Sequence, residues 1–127
     1  MKNTKAILID AYNQEVREVE LDHKKGLDKY YELLDCQTFA VPYYLDIKDT
    51  EAAYKDAMMV DDEGLYNQSA YFKYKDIIYP VIGNALIVGT DEEGDTIDHR
   101  QDIEEVKENV EFWTREQVVE HVTKHRL

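Results

Sequence analysis

The residues of this chain best placed for chemistry form a short acidic turn, Asp91-Glu-Glu-Gly-Asp95. Closely spaced carboxylates around a glycine can supply the oxygen ligands that calcium prefers. An EF-hand loop beginning at Asp91 would need glycine at its sixth position and glutamate at its twelfth. Gly94 comes too early for that loop, and Asp102 occupies the twelfth position. Because aspartate and glycine favour tight turns, we expect solvated turns without metal here and at Asp61-Asp-Glu-Gly64.

His121 and His125 form a second candidate, because residues four apart share one face of a helix and can hold zinc. No third ligand follows at a suitable spacing, and the glutamate of a His-Glu-x-x-His motif is absent. Near a helix C-terminus these histidines, like Lys124 and Arg126, instead complement the helix dipole. We expect neither a metal nor a cofactor in this protein.

Motifs for catalysis are missing from the sequence as well. Ser69 is the only serine and does not stand in a Gly-x-Ser-x-Gly turn. The stretch from Gly83 to Gly89 lacks the Gly-Lys-Ser/Thr ending of a phosphate-binding loop and the dinucleotide fingerprint. The lone Cys36 is more typical of a small buried hydrophobic residue than of a nucleophile. We therefore predict that the protein is not an enzyme and has no catalytic residues.

The aromatic residues are better suited to binding. The chain has ten tyrosines against three phenylalanines and one tryptophan, and tyrosine is enriched at protein interfaces. On alternating strands one face must be core, so about half of the central tyrosines are structural. We predict an interaction surface made of central tyrosines and the acidic turn: Tyr66, Tyr71, Tyr74, Tyr79, Asp91, Glu92, Glu93 and Asp95.

The formal net charge of −13 is large for 127 residues, since small soluble domains carry a magnitude of about 2–8. Such a surface repels nucleic acid and anionic membranes and favours encounter with a basic protein, although acidity can also serve solubility alone. We expect a basic host protein as partner, with no direct nucleic acid and no membrane. Because Met1-Lys-Asn-Thr-Lys does not begin a signal peptide and Cys36 has no partner for a disulfide, we expect a cytoplasmic location.

The first half of the chain predicts a hairpin, a helix and an edge strand. The apolar run Lys5–Asp10 and the alternating stretch Glu18–Asp22 are typical of two strands joined by a turn. Four apolar residues after Gly26 share one helical face: Leu27, Tyr30, Tyr31 and Leu34. A third strand follows, with Phe39, Val41, Tyr43 and Leu45 alternating. Because Pro42 cannot donate to a sheet, that strand must lie at an edge or contain a bulge.

The second half predicts further strands and two helices. Met58–Val60, Tyr71–Tyr79 and the glycine-framed Pro80–Thr96 are rich in strand-forming residues, whereas 49–57 is consistent with a short helix or an insertion. Capping-box spacings at 102–105 and 114–117 predict two C-terminal helices. The sequence thus indicates a single α+β domain over 1–127, a small mainly antiparallel sheet with an N-terminal hairpin, one early helix and two C-terminal helices.

Two motifs are similar to a known family, Val60-Asp-Asp-Glu-Gly-Leu65 and Gly83-Asn-Ala-Leu-Ile-Val-Gly-Thr-Asp-Glu-Glu-Gly-Asp95. The chain resembles small uncharacterised proteins of phages and plasmids that share a domain of unknown function. The likeness covers 5–98, a body to which 101–127 would add a helical extension. It implies an accessory protein of a mobile element and supplies no catalytic residues.

These observations favour a non-enzymatic acidic interaction protein. Our first hypothesis is an inhibitor that occupies a basic, nucleic-acid-binding surface of a host protein. A module that binds or sequesters a nucleotide-type small ligand and a structural, homodimerising domain remain alternatives.

Overall fold

The computed structural model describes residues 3–22, 28–45, 55–75 and 77–124. Along the chain the elements are β1 (Thr4–Asp10), β2 (Glu15–Leu21), α1 (Asp28–Leu34), β3 (Phe39–Leu45), β4 (Asp56–Asp61), α2 (Gly64–Asn67), β5 (Tyr71–Tyr74), β6 (Val81–Ile82), β7 (Ala85–Thr90), β8 (Thr96–Ile97), α3 (Ile103–Asn109), β9 (Val110–Trp113) and α4 (Arg115–Lys124). Of the undecided segment 49–57, the part up to residue 54 lies outside the described residues, as do Leu27 and His125, and β4 begins in the remainder. None of the described helices is long and apolar enough to cross a membrane.

The strands form two antiparallel sheets. The larger sheet has the order β2-β1-β7-β4-β3, with β8 paired to β7, and the smaller has the order β6-β5-β9. The predicted α+β class, the β1–β2 hairpin, the early helix and the two C-terminal helices are confirmed. The sequence did not predict β9, α2 or a separate second sheet.

Both faces of the larger sheet are covered, which explains why β1 and β7 are almost continuously apolar. On one face, Leu8 and Leu86 pack with Leu34 of α1. On the other, Ile7 and Ile87 pack with residues of the smaller sheet and α3, among them Phe72, Tyr74 and Val106. The larger sheet is therefore the middle layer of the domain.

Strand β3 lies at the end of the larger sheet and contains a register shift between Ala40 and Tyr43, so both expectations drawn from Pro42 are confirmed. A register shift reverses which residues point to each face. Phe39 and Val41 consequently pack on the α1 side, whereas Tyr43 and Leu45 pack on the opposite side. The alternation of these four residues in the sequence therefore does not place them on one face, because the bulge shifts it by one residue.

The β1–β2 turn is held by the carboxylate of Asp10. Asn13 donates to it from its backbone nitrogen at 3.1 Å and from its side chain at 2.8 Å. Arg17 Nη1 lies 3.2 Å from Oδ2 of the same carboxylate. Burial raises the pKa of Asp10, but these hydrogen bonds and the guanidinium charge outweigh burial and hold the pKa below its ordinary value.

The N-termini of both C-terminal helices are capped by side-chain hydrogen bonds. Gln117 N donates to Thr114 Oγ1 at 3.2 Å while Thr114 N donates to Gln117 Oε1 at 2.8 Å, which is the predicted capping box of α4. At α3 the cap is simpler, since Asp102 accepts from the backbone nitrogen of Glu104 at 3.0 Å. Strand β9 separates the two helices and pairs with β5.

Candidate functional site

A groove of about 780 Å³ opens between the end of β3, the β5–β6 connection and α3. We call it the β3–α3 groove. Its lining comprises Pro42, Tyr43, Tyr44, Leu45, Tyr74, Lys75, Ile77, Ile78, Tyr79, Gln101, Glu105 and Asn109. Four tyrosines and three branched aliphatic residues thus meet a polar helix face, the combination of apolar walls and few polar groups that is typical of binding sites.

The β3 wall consists of four consecutive residues, Pro42 to Leu45. Side chains of successive strand residues point to opposite faces of a sheet. A cavity bounded by four successive residues therefore runs along the edge of the strand rather than across one face. Pro42 was the sequence signal for this site, because it predicted an edge strand; the groove residues Tyr43 and Tyr44 were not in the predicted surface.

The α3 wall is polar. Glu105 and Asn109 are four residues apart on α3 and so lie on one side of the helix, and Gln101 lines the groove just before the N-cap Asp102. Asn109 Nδ2 donates to the Tyr74 hydroxyl at 3.5 Å, which joins this wall to the floor of the groove. Among the described lining residues Glu105 is the one acid and Lys75 the one cation. The lining is thus balanced in charge.

A buried ion pair positions the start of this wall. Asp56, which is fully buried, accepts from Arg100 N at 2.6 Å and from Arg100 Nε at 3.1 Å. Arg100 Nη2 also donates to the Thr90 carbonyl at 2.8 Å. Because β4, β7 and the segment before α3 converge on one guanidinium, Gln101 is fixed relative to the sheet.

Helix α4 supports the outer wall. His121 Nε2 lies 2.7 Å from the Ile78 carbonyl oxygen, and the imidazole meets the rings of Tyr79 and Trp113 edge-on at 6.5 and 5.3 Å. The indole nitrogen of Trp113 is buried and has no hydrogen-bond partner within the part of the chain described. His121 thus packs between the groove wall and β9.

The predicted tyrosines are distributed between surface and core. Tyr74 is 5% exposed and belongs to the core, and Tyr71 is half-buried on β5. Tyr79, at 38% exposure, lines the groove together with Tyr74. Tyr66 is 83% exposed on α2, which follows the last residue of β4. At a rise of about 3.4 Å per residue β4 spans about 17 Å, and Tyr66 follows the end of the strand that is opposite to Asp56.

The acidic turn lies at the opposite end of the larger sheet from Tyr66. It follows Thr90, whose hydroxyl donates to the Lys55 carbonyl just before β4 at 2.8 Å. Leu45, at the end of the groove, pairs with Asp56 of β4, and β4 in turn pairs with β7. Leu45 is therefore two strands away from β7. At about 4.8 Å per strand the base of the turn is roughly 10 Å from the groove. The structure therefore brings the turn close to the groove and not to Tyr66.

Hydrogen bonds within the turn account for its shape. Asp91 Oδ1 accepts from the backbone nitrogens of Glu93 and Asp95 at 3.0 and 2.9 Å, and Gly94 adopts φ 83°. One carboxylate oxygen from each of Asp91, Glu93 and Asp95 lies within 4.8 Å of the others. This is the geometry of an aspartate-initiated hairpin turn.

Asp61 and Asn84, from the two family-like motifs, take part with Gln68 and Tyr12 in a polar network at the other end of the sheet. Asn84 Oδ1 accepts from Ala11 N at 2.8 Å, while Gln68 Nε2 donates to Asp61 Oδ2 at 2.8 Å. Tyr12 closes the network by donating to Gln68 Oε1 at 2.6 Å. A Cβ atom at Gly64 would lie 2.7 Å from the Ile82 carbonyl oxygen, so helix and strand meet there only because this residue is glycine.

Cys36 lies beside this network. Burial, followed by the nearby charges of Asp61 and Asp35, raises the pKa of its thiol to about 11. A thiol is reactive as the thiolate, and almost none forms at neutral pH with such a pKa. The environment is that of a structural cysteine.

The family described as domain of unknown function DUF3846 matches residues 1–111, and the chain belongs to this family. The match includes both motif stretches, β3 and α3, and so both walls of the groove. No curated protein and no solved structure matches the chain.

Proposed function

We propose that this DUF3846 protein is a non-enzymatic acidic interaction protein whose β3–α3 groove binds a positively charged segment of a partner protein. The observation that carries the proposal is the set of tyrosines along the groove, in a chain with a net charge of −13. Lysine and arginine side chains can lay their aliphatic stems along tyrosine rings and interact with the ring faces.

The negative field originates around the groove rather than in its balanced lining. Glu108 is exposed one turn beyond Glu105 on α3, and the acidic turn is roughly 10 Å from Leu45. That distance is about one Debye length at physiological salt, so the turn still acts on a charge in the groove. Phosphates of nucleic acid would be repelled by the same field.

We further propose that the partner is a host protein and that the covered segment belongs to its nucleic-acid-binding surface. An inhibitor of this kind fits the resemblance of the two sequence motifs to proteins of phages and plasmids, and it would act in the cytoplasm of the host cell. Basic nucleic-acid-binding surfaces offer the lysine and arginine density that the groove and the surrounding acids complement.

Fluorescence anisotropy with a labelled peptide of about eight alternating arginines and threonines tests groove binding. Tyr44 is 59% exposed on the groove wall, so Tyr44→Ala should weaken binding about 30-fold, the loss of about 2 kcal/mol that marks an interface hot spot. Tyr66→Ala, outside the groove, serves as the matched control and should bind as the wild type does. Equal affinities of both variants, or no salt-sensitive binding at all, would refute the proposal.

A small anionic ligand of nucleotide type is the second candidate, favoured by the groove volume of about 780 Å³ and by Lys75. A ligand at about 100 times its dissociation constant would stabilise the protein by about 2.7 kcal/mol, visible in a thermal-shift screen. Lys75→Gln separates the candidates, because it should strengthen binding of the arginine peptide and weaken binding of a nucleotide. A third reading, homodimerisation, is tested by sedimentation and is opposed by the repulsion between two chains of −13.

A further inference from the structure

Strand β3 offers more than a wall to the groove. β3 ends the strand order of the larger sheet, so among the described residues only one of its two edges is paired, with β4. In such a strand alternate residues direct their N–H and C=O groups away from the sheet. The groove runs along that unpaired edge from Pro42 to Leu45.

The edge is regular where the groove meets it. Past the register shift at Pro42, the residues Tyr43, Tyr44 and Leu45 pair in step with Met58, Ala57 and Asp56. Proline has no N–H to donate, whereas the alternate residues among the three that follow direct an N–H and a C=O toward the unpaired edge. A short extended segment could therefore hydrogen-bond to this stretch as a further antiparallel or parallel strand.

We propose that the partner segment binds in extended form and adds to the β3 edge as an outer strand of the larger sheet; this inference rests on the proposed function of the groove. Side chains on one side of the added strand enter the groove beside Tyr43 and Leu45, which face the smaller sheet. A groove-facing arginine has Glu105 on the opposite wall as a carboxylate partner.

Charge selects this occupant over a second copy of the chain. Pairing two β3 edges would bring together two chains with a net charge of −13 each, whereas a basic segment is attracted. A helical occupant would leave the strand's outward N–H and C=O groups without protein partners.

Backbone N-methylation of the probe peptide tests strand addition without changing the protein. Two versions of the arginine–threonine peptide are methylated at alternate backbone nitrogens, one at the arginines and one at the threonines. If the peptide pairs with β3, one version loses its hydrogen bonds to the strand and should bind about tenfold or more weakly, while the other retains most of its affinity. The unmethylated peptide is the reference for both.

Equal affinities of the two methylated versions, whether both retained or both lost, would overturn strand addition. Binding of the unmethylated peptide that still depends on Tyr44 would in that case leave the groove as the binding site. Loss of all peptide binding would instead refute the proposed function itself.

Discussion

The Asn84→Ala variant measures how much of the family-like motif serves folding. Asn84 is 8% exposed; its Oδ1 accepts from Ala11 N at 2.8 Å and its Nδ2 donates to the Leu33 carbonyl at 3.3 Å. Truncation leaves one buried N–H and one carbonyl without these partners. With about 1–3 kcal/mol for each orphaned group and the longer bond at the low end, we expect a loss of about 2–4 kcal/mol.

Urea denaturation, followed by the fluorescence of Trp113, the single tryptophan, measures the loss in the free energy of unfolding. The slope of that free energy against urea concentration should be the same as in the wild type. Asn67→Ala is the control, because it removes the same side chain from an exposed position on α2 and should change stability by less than about 0.5 kcal/mol. A comparably small effect at Asn84 would refute the structural account of the motif. The folded variant should still bind the arginine peptide as the wild type does.

Three further changes test other parts of the structure. Because hydrogen bonds hold the pKa of Asp10 below its ordinary value of 3.8, its ionised form stabilises the fold above that pH and the contribution is lost as the pH falls through the folded pKa; Asp10→Asn should flatten the acid limb of a pH–stability curve. With the Cys36 pKa raised from 9.0 to about 11, iodoacetamide should alkylate the folded protein about 100-fold more slowly at neutral pH than the urea-unfolded chain. Gly83→Ala places a Cβ 2.8 Å from Gln68 Cγ at a residue with φ 96°, whereas a Cβ at Gly94, with φ 83°, would meet open space. In urea denaturation we expect Gly83→Ala to lower the free energy of unfolding by about 1–2 kcal/mol more than Gly94→Ala does.

Local sequence signals predicted the parts of the fold that depend on residues close to one another in the sequence. Thr114 and Gln117 form their capping box within a single turn, and Pro42 forces an edge or a bulge wherever its strand pairs. The β1–β2 hairpin likewise joins neighbours in sequence. In each case a backbone requirement, a missing donor or an orphaned N–H, is visible in the residue type itself.

The second sheet depends on pairing between strands that are distant in the sequence, which local residue patterns do not predict. Val110 continues the helical spacing of Ile103 and Val106, so the pattern favoured a longer helix over β9. Trp113 pairs with Tyr71 from a distant part of the chain, and such non-local contacts override local spacing. The smaller sheet in turn forms the core beside Tyr74, which is why that tyrosine is buried although its strand alternates like an exposed one.

The site was only partly predictable for the same reason. Composition identified tyrosine and acidity as the chemistry of the surface, but it could not assign which tyrosines meet. The bulge at Pro42 turns Tyr43 toward α3, and the β5–β6 connection carries Tyr79 to the same groove. Tyr66 has the same side chain and is more exposed, but it follows the other end of β4, away from the groove.

In the proposed interaction the surrounding charges affect mainly the association rate, whereas the groove affects mainly the dissociation rate. The acidic turn is roughly 10 Å from the groove and solvated, so its attraction is long-ranged, weakened by salt and expressed mainly in the association rate. The tyrosines and the β3 edge act only in contact, so they determine how slowly the complex dissociates. Because the lining itself is balanced by Glu105 and Lys75, net charge alone would attract many basic proteins and discriminate little between them. Backbone hydrogen bonds to β3 are alike for any extended segment, so specificity must come from the groove that receives the alternate side chains of that segment.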